Sequence, residues 1–228
     1  MIPLMLLDTA DLPDGGTLRL MRRGNDHFIL FGRNELMSSR LKGSEEALAS
    51  LSCAPLKDRS GARVLIGGLG MGFTLRAAQA LLNRTAHIVV AELVPKILEW
   101  AQGPLAHLFH DSLSDPRLSV RLEDVRDSLL AAAQGGSATG YDAILLDVDN
   151  GPDGLIHLAN DWLYGAAGLR AARAALRPGG MLAIWSAYDD PAFTDRLSRA
   201  GFAVDPVKVR ATGGRKGAHH MIWLARKP

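Results

Sequence analysis

Short apolar runs alternate with amphipathic stretches along this 228-residue chain from residue 62 onwards. The apolar runs are residues 62–67, 87–92, 118–122, 141–147 and 180–186. Helical patterns lie between and after them, near residues 72–83, 95–109, 125–134, 160–176 and 191–200. Strands that alternate with helices form doubly wound parallel sheets, in which each strand is apolar on both faces. The sequence therefore predicts an α/β fold around a mostly parallel sheet.

Both ends of the chain depart from this alternation. Near the N-terminus, the alternating segments 17–22 and 27–32 flank a Gly-Asn-Asp turn and predict a β-hairpin. Near the C-terminus, segments 202–209 and 221–226 predict an antiparallel hairpin that closes the sheet at seven strands. We expect residues 1–43 to form a short β-hairpin extension and residues 44–228 to form the main α/β domain.

Composition limits the class of protein further. Hydrophobic residues make up 47% of the chain, which is enough to build the core of one α/β domain. The net charge of +2 is too small to indicate nucleic-acid binding, so we expect no nucleic-acid partner. The apolar start of the chain is too short to span a bilayer and lacks the basic region of a signal peptide. We expect no membrane partner either.

Two further features fix smaller expectations. The lone cysteine, Cys53, excludes an internal disulfide and suits a reducing compartment, which predicts a cytoplasmic protein with a buried structural thiol. Ser44 begins a helical pattern and is predicted to be its N-cap, with Glu45 in the first turn against the helix dipole.

A glycine-rich turn links the first predicted strand of the main sheet to the following helix. It contains Gly67, Gly68, Gly70 and Gly72, and such glycines let the backbone turn tightly and approach a ligand. The helix behind them offers N–H groups to an anion. A dinucleotide fingerprint needs its last glycine at Phe73, so the spacing favours S-adenosylmethionine over a nicotinamide cofactor.

Acidic residues follow the next two strands. Glu92, followed by Leu93, ends the second strand, where a carboxylate can accept both hydroxyls of a ribose. The third strand ends in Glu123-Asp124-Val125, where an acid can reach an adenine amino group, although Asp124 can equally cap the next helix. Substitution of Glu92 by alanine is expected to weaken cofactor binding and leave the fold intact.

A polar turn follows the fourth strand. Asp147, Asp149 and Asn150 lie there, and ligands of open α/β sheets bind beyond the carboxyl ends of the strands. We predict that Asp147 and Asp149 are catalytic and that Asp147 also contacts the cofactor. Asn150, together with Glu45 and Tyr188, is predicted to contact the second substrate.

The remaining candidates have plainer interpretations. Trp185 is predicted to lie in the core. Asp190, with its neighbour Asp189, offers oxygen ligands for Mg²⁺, but it can also cap the next helix, and we predict no metal site. His219 and His220 are adjacent on a strand and point to opposite faces, so one of them can reach the rim of the site.

Together these motifs resemble the spermidine synthase (polyamine aminopropyltransferase) family, which has the class I methyltransferase fold with one reversed strand. The resemblance extends from about residue 18 to residue 186. It is carried by the glycine turn, Glu92, Asp115-Pro116-Arg117, Asp124, residues 141–147 and residues 176–180. It implies that Glu92 holds the ribose, that Asp124 holds the adenine, and that the chain forms a homodimer through its N-terminal hairpin.

The chain departs from that family at three places. The family's aspartate for the amino group of decarboxylated S-adenosylmethionine is replaced by Gly70, and its catalytic base by Asn150. The family's Tyr-Gln/His-Glu motif reads Ser44-Glu45-Glu46. Asn150 has no useful basicity, and Asp149 is the neighbouring substitute.

These departures favour a different cofactor. An aspartate repels the carboxylate of intact S-adenosylmethionine by about 4 kcal/mol at ~4 Å and a dielectric constant near 20. Gly70 removes that repulsion and leaves N–H groups for the carboxylate. We therefore expect S-adenosyl-L-methionine and methyl transfer to a small polar acceptor, such as an amine. Aminopropyl transfer from decarboxylated S-adenosylmethionine and non-catalytic S-adenosylmethionine binding are the alternatives.

Overall fold

The computed structural model describes residues 2–13, 15–148, 161–214 and 217–228. The strands among these residues are β1 (Met5–Asp11), β2 (Thr17–Arg23), β3 (Asp26–Phe31), β4 (Asn34–Ser38), β5 (Arg63–Gly67), β6 (His87–Ala91), β7 (Leu118–Arg121), β8 (Tyr141–Leu146), β9 (Leu176–Ser186), β10 (Ala203–Arg210) and β11 (His219–Arg226). The α-helices are α1 (Gly43–Cys53), α2 (Phe73–Leu81), α3 (Pro95–Gln102), α4 (Ala106–Phe109), α5 (Val125–Gln134), α6 (Gly136–Thr139), α7 (Asp161–Tyr164), α8 (Ala166–Ala175) and α9 (Pro191–Arg199).

The described residues build a seven-stranded main sheet in the order β10-β11-β9-β8-β5-β6-β7. Strands β5 to β9 are mutually parallel, and β11 runs antiparallel to both β9 and β10. The strand order reverses between β5 and β8, so the carboxyl ends of these two strands form the crevice where open α/β sheets bind ligands. The predicted α/β fold with a single reversed strand is confirmed.

The N-terminal region is larger than the predicted hairpin. Strands β2 and β3 pair as expected, but β1 and β4 flank them in a four-stranded antiparallel sheet. Neither outer strand shows clear alternation, because β1 begins with an unbroken apolar run and β4 mixes polar and apolar residues. Leu18, Leu20 and Ile29 of this sheet pack into the same hydrophobic core as Leu69 of the glycine turn.

Two predicted helices are interrupted. The stretch 95–109 divides into α3 and α4 at Gly103-Pro104, since proline cannot donate a backbone hydrogen bond within a helix. The stretch 160–176 divides into α7 and α8 at Gly165. None of the helices in the described stretches is long and apolar enough to cross a membrane.

Ser44 is not the N-cap that the sequence predicts. Helix α1 begins one residue earlier, at Gly43, and Ser44 is fully buried inside its first turn. The reason is a close backbone approach, because the Gly43 N–H donates to the Ala211 carbonyl at 2.8 Å. A Cβ on Gly43 would lie 1.9 Å from the Gly213 nitrogen. This contact fixes α1 against the β10–β11 hairpin and leaves the Ser44 hydroxyl for other partners.

Two of the motifs that carry the resemblance have structural roles. They lie at the amino ends of the strands, whereas the crevice lies at the carboxyl ends. Arg117 pairs with Asp115 at 2.6 Å and donates to the carbonyls of Gln79 and Leu82 at the end of α2. Asp142 is buried and pairs with Arg177 at 2.8 Å. These ion pairs fasten helix and strand ends far from the crevice.

Candidate functional site

A cavity of about 1050 Å³, including its open mouth, lies at the carboxyl ends of β5, β6 and β8. The main sheet supplies one wall through the glycine turn and the residues that follow β6 and β8. The N-terminal sheet supplies the other wall through Leu18, Ile29 and Met37. A cavity of this size, with apolar walls and a few polar groups, suits a small organic ligand.

The polar side chains of this cavity are acidic. Glu45, Glu92, Asp124 and Asp147 line it. Among the described residues, no lysine, arginine or histidine joins that lining. A cationic ligand is therefore favoured over an anionic one, because burial strengthens charge–charge interactions.

The glycine turn approaches the cavity at two of its glycines. Gly68 adopts a φ of +89°, and a Cβ there would lie 2.5 Å from the Asp147 carbonyl oxygen. Gly70 has a φ of +50°, and a Cβ there would lie 2.6 Å from Cε of Met37. Gly67 and Gly72 lie outside the lining, and a Cβ at Gly72 would collide with Phe109.

The N–H groups of the turn already have partners. Gly68 N–H donates to the Ala91 carbonyl at 2.9 Å, and Leu69 N–H donates to Oε2 of Glu92 at 2.9 Å. Met71 N–H contacts Sδ of Met37 at 3.1 Å. The expectation that Gly70 leaves N–H groups for a ligand carboxylate is therefore wrong, since Glu92 and Met37 occupy the donors around it.

Glu92 is buried at the end of β6 and lines the cavity. Its Oε1 accepts the Val94 N–H at 2.8 Å, while Oε2 accepts Leu69 as described. Burial raises the pKa of Glu92, and the backbone donors partly offset that effect. Glu92 thus shapes the glycine turn as well as presenting a carboxylate, and Leu93 beside it also lines the cavity.

The two acids that follow β7, Glu123 and Asp124, take different positions. Asp124 lines the cavity with Val125, and its side chain also accepts the Arg126 N–H at 2.9 Å as the N-cap of α5. Glu123 lies outside the lining. Its carboxylate accepts the Ser128 hydroxyl and lies 3.7 Å from Arg121.

Asp147 and Glu45 form the acidic end of the cavity. The Thr74 hydroxyl donates to Asp147 at 2.8 Å, and desolvation raises the pKa of Asp147 to about 6. Burial, followed by the charge of Asp147, raises the pKa of Glu45 to about 8. The other predicted residues of this end, Asp149 and Asn150, lie outside the described residues.

The two aromatic candidates occupy different environments. Trp185 is buried as predicted, but it also lines the cavity, with an indole N–H that finds no acceptor among the described residues. Tyr188, predicted to contact substrate, is 64% exposed beyond the end of β9 and outside the lining. A strand end turns its side chains according to the local bend, which the sequence does not display.

The other candidates take structural positions. Asp190 caps α9 by accepting the Phe193 N–H at 3.1 Å. Cys53 is fully buried, and burial raises the pKa of its thiol to about 12, so it is unsuited to act as a nucleophile. His219 is exposed and His220 turns inward towards Ser44. Within the part of the chain that the structure describes, no group of three or more metal-binding side chains occurs.

Sequence reasoning missed Met37, Thr74 and the contact between Ser44 and His220. Each of these depends on a partner far away in the chain. No local pattern marks them, and only the packing of α1, β4 and β11 around the crevice brings them together.

The fold and site define a class I methyltransferase-like domain with an acidic cavity at the carboxyl ends of its central strands. No family model matches the chain. Over 158 residues it is 34% identical to the polyamine aminopropyltransferases of Mycobacterium tuberculosis (strains CDC 1551 / Oshkosh and ATCC 25618 / H37Rv) and of Mycobacterium bovis. The match covers 65% of this chain but only 28% of each relative.

Solved structures agree on the fold. Spermidine synthase from Thermotoga maritima superimposes with a TM-score of 0.72 at 15% identity, covering 98% of this chain and 73% of that one. A spermidine synthase in complex with the transition state analogue AdoDATO gives a TM-score of 0.74 at 16% identity, covering 98% and 74%. The chain is a homologue of the polyamine aminopropyltransferases and has the spermidine synthase fold, so the resemblance read from the sequence is confirmed.

These findings overturn the preference for methyl transfer. The relatives are aminopropyltransferases, not methyltransferases. The inference from Gly70 assumed free backbone donors, whereas donors of the turn are occupied and four carboxylates line the cavity. Gly70 removes one aspartate relative to the resembling family, but the four carboxylates that line the cavity still disfavour a ligand carboxylate.

Proposed function

We propose that this chain transfers an aminopropyl group from decarboxylated S-adenosylmethionine to a small amine. The observation that carries the proposal is the acidic cavity at the carboxyl ends of β5, β6 and β8, which has no cationic side chain among its described lining residues. The names of the relatives support the same reaction. Because the chain spans 28% of their length, the activity is inferred for this chain and not transferred from them.

Charge is the physical reason for this choice of cofactor. Decarboxylated S-adenosylmethionine carries a sulfonium and an ammonium, and the accepting amine binds as a second cation. Glu45 and Asp147 stabilise such charges at the end of the cavity. Intact S-adenosylmethionine adds a carboxylate, which would meet these acids without a compensating lysine or arginine among the described lining residues.

The nucleoside half of the cofactor is assigned to the opposite end. We propose that Glu92 accepts the ribose hydroxyls and that Asp124 accepts the adenine amino group. Gly68 and Gly70 give the backbone room beside the ligand, and Leu93 and Val125 supply apolar contacts to the base. All six residues line the same cavity.

The reaction needs three events. The neutral amine nitrogen attacks the propyl carbon attached to sulfur, the carbon–sulfur bond breaks, and methylthioadenosine leaves with the electron pair. The accepting amine, an ammonium in solution, must lose one proton before it attacks. We propose that Asp147 orients the amine. Asp149, outside the described residues, remains a candidate for this chemistry.

Calorimetry tests the proposal directly. The protein is titrated with decarboxylated S-adenosylmethionine, intact S-adenosylmethionine and methylthioadenosine. We expect the decarboxylated cofactor to bind at least tenfold more tightly than the intact one, since an uncompensated like-charge contact costs more than about 1.4 kcal/mol. Methylthioadenosine should then accumulate when putrescine, 1,3-diaminopropane or spermidine is added. Tighter binding of the intact cofactor, or no transfer to any amine, contradicts the proposal.

The proposal also covers the cellular compartment and the oligomeric state of the protein. The single buried thiol, Cys53, suits a reducing compartment such as the cytoplasm.

We also propose a homodimer through the N-terminal sheet, whose edge strand β1 exposes Met5 and Leu6. Light scattering of the full chain, compared with a Leu6→Glu variant, tests this assembly, and an unchanged monomer mass in both would contradict it.

A further inference from the structure

A line of hydrogen bonds leads from the acidic end of the cavity towards the protein surface. Ser44, fully buried in α1, has its hydroxyl 2.7 Å from Oε2 of Glu45. The same hydroxyl lies 2.9 Å from Nδ1 of His220 on β11. His220 is only half-buried and packs edge-on against Trp185, with the ring centroids 4.8 Å apart. The three polar side chains therefore connect a buried carboxylate to a group near solvent.

We propose that Glu45 accepts the proton that the amine substrate must lose, and that Ser44 and His220 carry this proton out of the cavity. The inference rests on the proposed aminopropyl transfer. It assigns the base to α1, beside Asp147 at the acidic end of the cavity, and it makes Ser44 and His220 positioning and relay residues.

The chain needs a base at such a place. Asn150, which stands where the resembling family has its base, has no useful basicity. Desolvation raises the pKa of Asp147 to about 6, and the hydroxyl of Thr74 partly offsets that effect, so Asp147 is a weaker base than Glu45, whose pKa is raised to about 8. Glu45 lines the same cavity and is 6% exposed, so it faces the substrate space with little competition from water.

The electrostatic surroundings of Glu45 strengthen it as a base. Burial and the negative charges of Asp147 and Glu46 raise its pKa, whereas the Ser44 hydroxyl lowers it. The only other titratable group joined to it by this hydrogen-bonded line is His220, whose pKa is lowered by burial. An ionised Glu45 is thus more basic than an ordinary carboxylate, and a neutral His220 is ready to take a proton.

The proton balance closes over one cycle. The ammonium gives a proton to Glu45, and the resulting neutral amine attacks the cofactor. The Glu45 proton then moves to the Ser44 oxygen while the Ser44 proton moves to Nδ1 of His220. The imidazolium releases its Nε2 proton to solvent, which restores an ionised Glu45 and a neutral imidazole. One proton leaves for each aminopropyl group transferred.

The first test measures single-turnover formation of methylthioadenosine against pH in Glu45→Gln, Ser44→Ala and His220→Gln. Glu99→Gln and His219→Gln are matched controls, because each makes the same side-chain change at an exposed residue outside the cavity lining. Loss of a general base costs about 10²–10⁴-fold. We expect that loss for Glu45→Gln with methylthioadenosine affinity within threefold of wild type.

The pH profile separates a base from a structural residue. The deficit of Glu45→Gln should shrink as the pH approaches the pKa of the amine itself, because the substrate then arrives neutral. Ser44→Ala and His220→Gln should lose about tenfold, less than the loss of about 10²–10⁴-fold expected for the base itself, and the controls should not change. A pH-independent deficit in Glu45→Gln, or equal losses in the controls, would overturn the proposal.

A second measurement does not depend on turnover. Nitrogen NMR of the imidazole rings in ligand-free protein reports the tautomer of His220. Ionisation of Glu45 should reverse the Ser44 hydroxyl and switch His220 from the Nε2–H to the Nδ1–H form. The transition should follow the titration of Glu45, persist in Glu99→Gln, and vanish in Glu45→Gln and Ser44→Ala. If the wild type transfers no aminopropyl group but shows this transition, the proposed function fails while the relay stands. If the transition is missing, the relay fails whatever the activity.

Discussion

The charge of Asp147 raises the pKa of Glu45, although the two carboxylates come from different elements, the end of β8 and the first turn of α1. Both groups are also desolvated, so both pKa values are higher in the folded protein than in the unfolded chain. Ionising both carboxylates in the folded protein costs free energy, and the free energy of unfolding therefore depends on pH.

The sign of this dependence follows from the raised pKa values. Glu45 moves from 4.5 to about 8 and Asp147 from 3.8 to about 6, so the folded chain holds more protons than the unfolded chain between these limits. Their contribution is fully present below about pH 4 and is lost as the pH rises to 8. A slope approaching 1.4 kcal/mol per pH unit for each proton is the upper limit.

We therefore expect the free energy of unfolding to fall between pH 5 and 8, and Glu45→Gln to flatten that fall by about 1 kcal/mol per pH unit. Urea unfolding at several pH values measures it. Glu99→Gln, which removes an exposed partner of Lys96 on α3, is the control. Equal slopes in wild type and Glu45→Gln would show that Glu45 titrates normally in the folded state.

Glu92 should be needed for stability as well as for binding. Its two carboxylate oxygens accept buried N–H groups of Leu69 and Val94, so the expectation of an intact fold in Glu92→Ala is revised. Unsatisfied buried donors cost about 1–3 kcal/mol each, which predicts a loss of about 2–4 kcal/mol in unfolding free energy. Methylthioadenosine affinity should fall about 10- to 100-fold, the worth of a charged hydrogen bond.

Glu92→Gln separates the two roles, because it keeps the size and one acceptor oxygen. It should recover part of the stability and remain weak in binding. Thermal unfolding and calorimetry on both variants provide the comparison, with Glu99→Ala, an exposed change on α3, as the control. Wild-type affinity in Glu92→Ala would place the ribose elsewhere.

Trp185 should report ligand binding. Trp185 lines the cavity, and its indole N–H has no acceptor among the described residues. Trp162 lies outside the lining, and the guanidinium carbon of Arg126 lies 4.7 Å from the centroid of its ring. Methylthioadenosine is expected to change the tryptophan emission of the wild type and of Trp162→Phe, and to leave Trp185→Phe unchanged. Because the lost N–H has no acceptor among the described residues, Trp185→Phe should cost less than about 1 kcal/mol of stability. A retained response in Trp185→Phe would move the ligand away from β9.

The sequence was sufficient for features that depend on neighbours along the chain. The strand–helix alternation gave the main sheet, and Gly68, Gly70 and Glu92 lie at the cavity because each follows a strand that ends there. The sequence did not predict strands β1 and β4, because their patterns are weak and their conformation depends on pairing with β2 and β3.

The sequence was insufficient for features set by distant contacts. Whether a cavity is acidic depends on side chains from α1, β6, β7 and β8 facing one another, and this decided against a ligand carboxylate. The partners of Ser44 lie beside it and at the far end of the chain. Trp185 is buried as expected but also lines the cavity, whereas Tyr188 lies outside that lining, and residue type alone does not reveal which of the two faces the cavity.

Met37 and Gly70 should be energetically coupled. Sδ of Met37 takes the Met71 N–H, and its methyl group fills the space that a side chain at position 70 would need. Gly70→Asp, which restores the acid of the resembling family, therefore forces Met37 aside in a backbone of φ +50°. Overpacking of this kind costs about 1–3 kcal/mol.

A double-mutant cycle isolates the contact. Gly32→Asp is the matched control, because Gly32 has a φ of +56° and open space around its Cβ position, so it measures the backbone strain alone. We expect Gly70→Asp to cost more than Gly32→Asp, and Met37→Ala to recover the difference with a coupling of about 0.5–3 kcal/mol. The double variant should also bind decarboxylated S-adenosylmethionine more tightly than Met37→Ala does, because it adds a carboxylate beside the ligand ammonium. Additive costs would mean that Met37 moves aside freely, and the glycine at position 70 would then need another explanation.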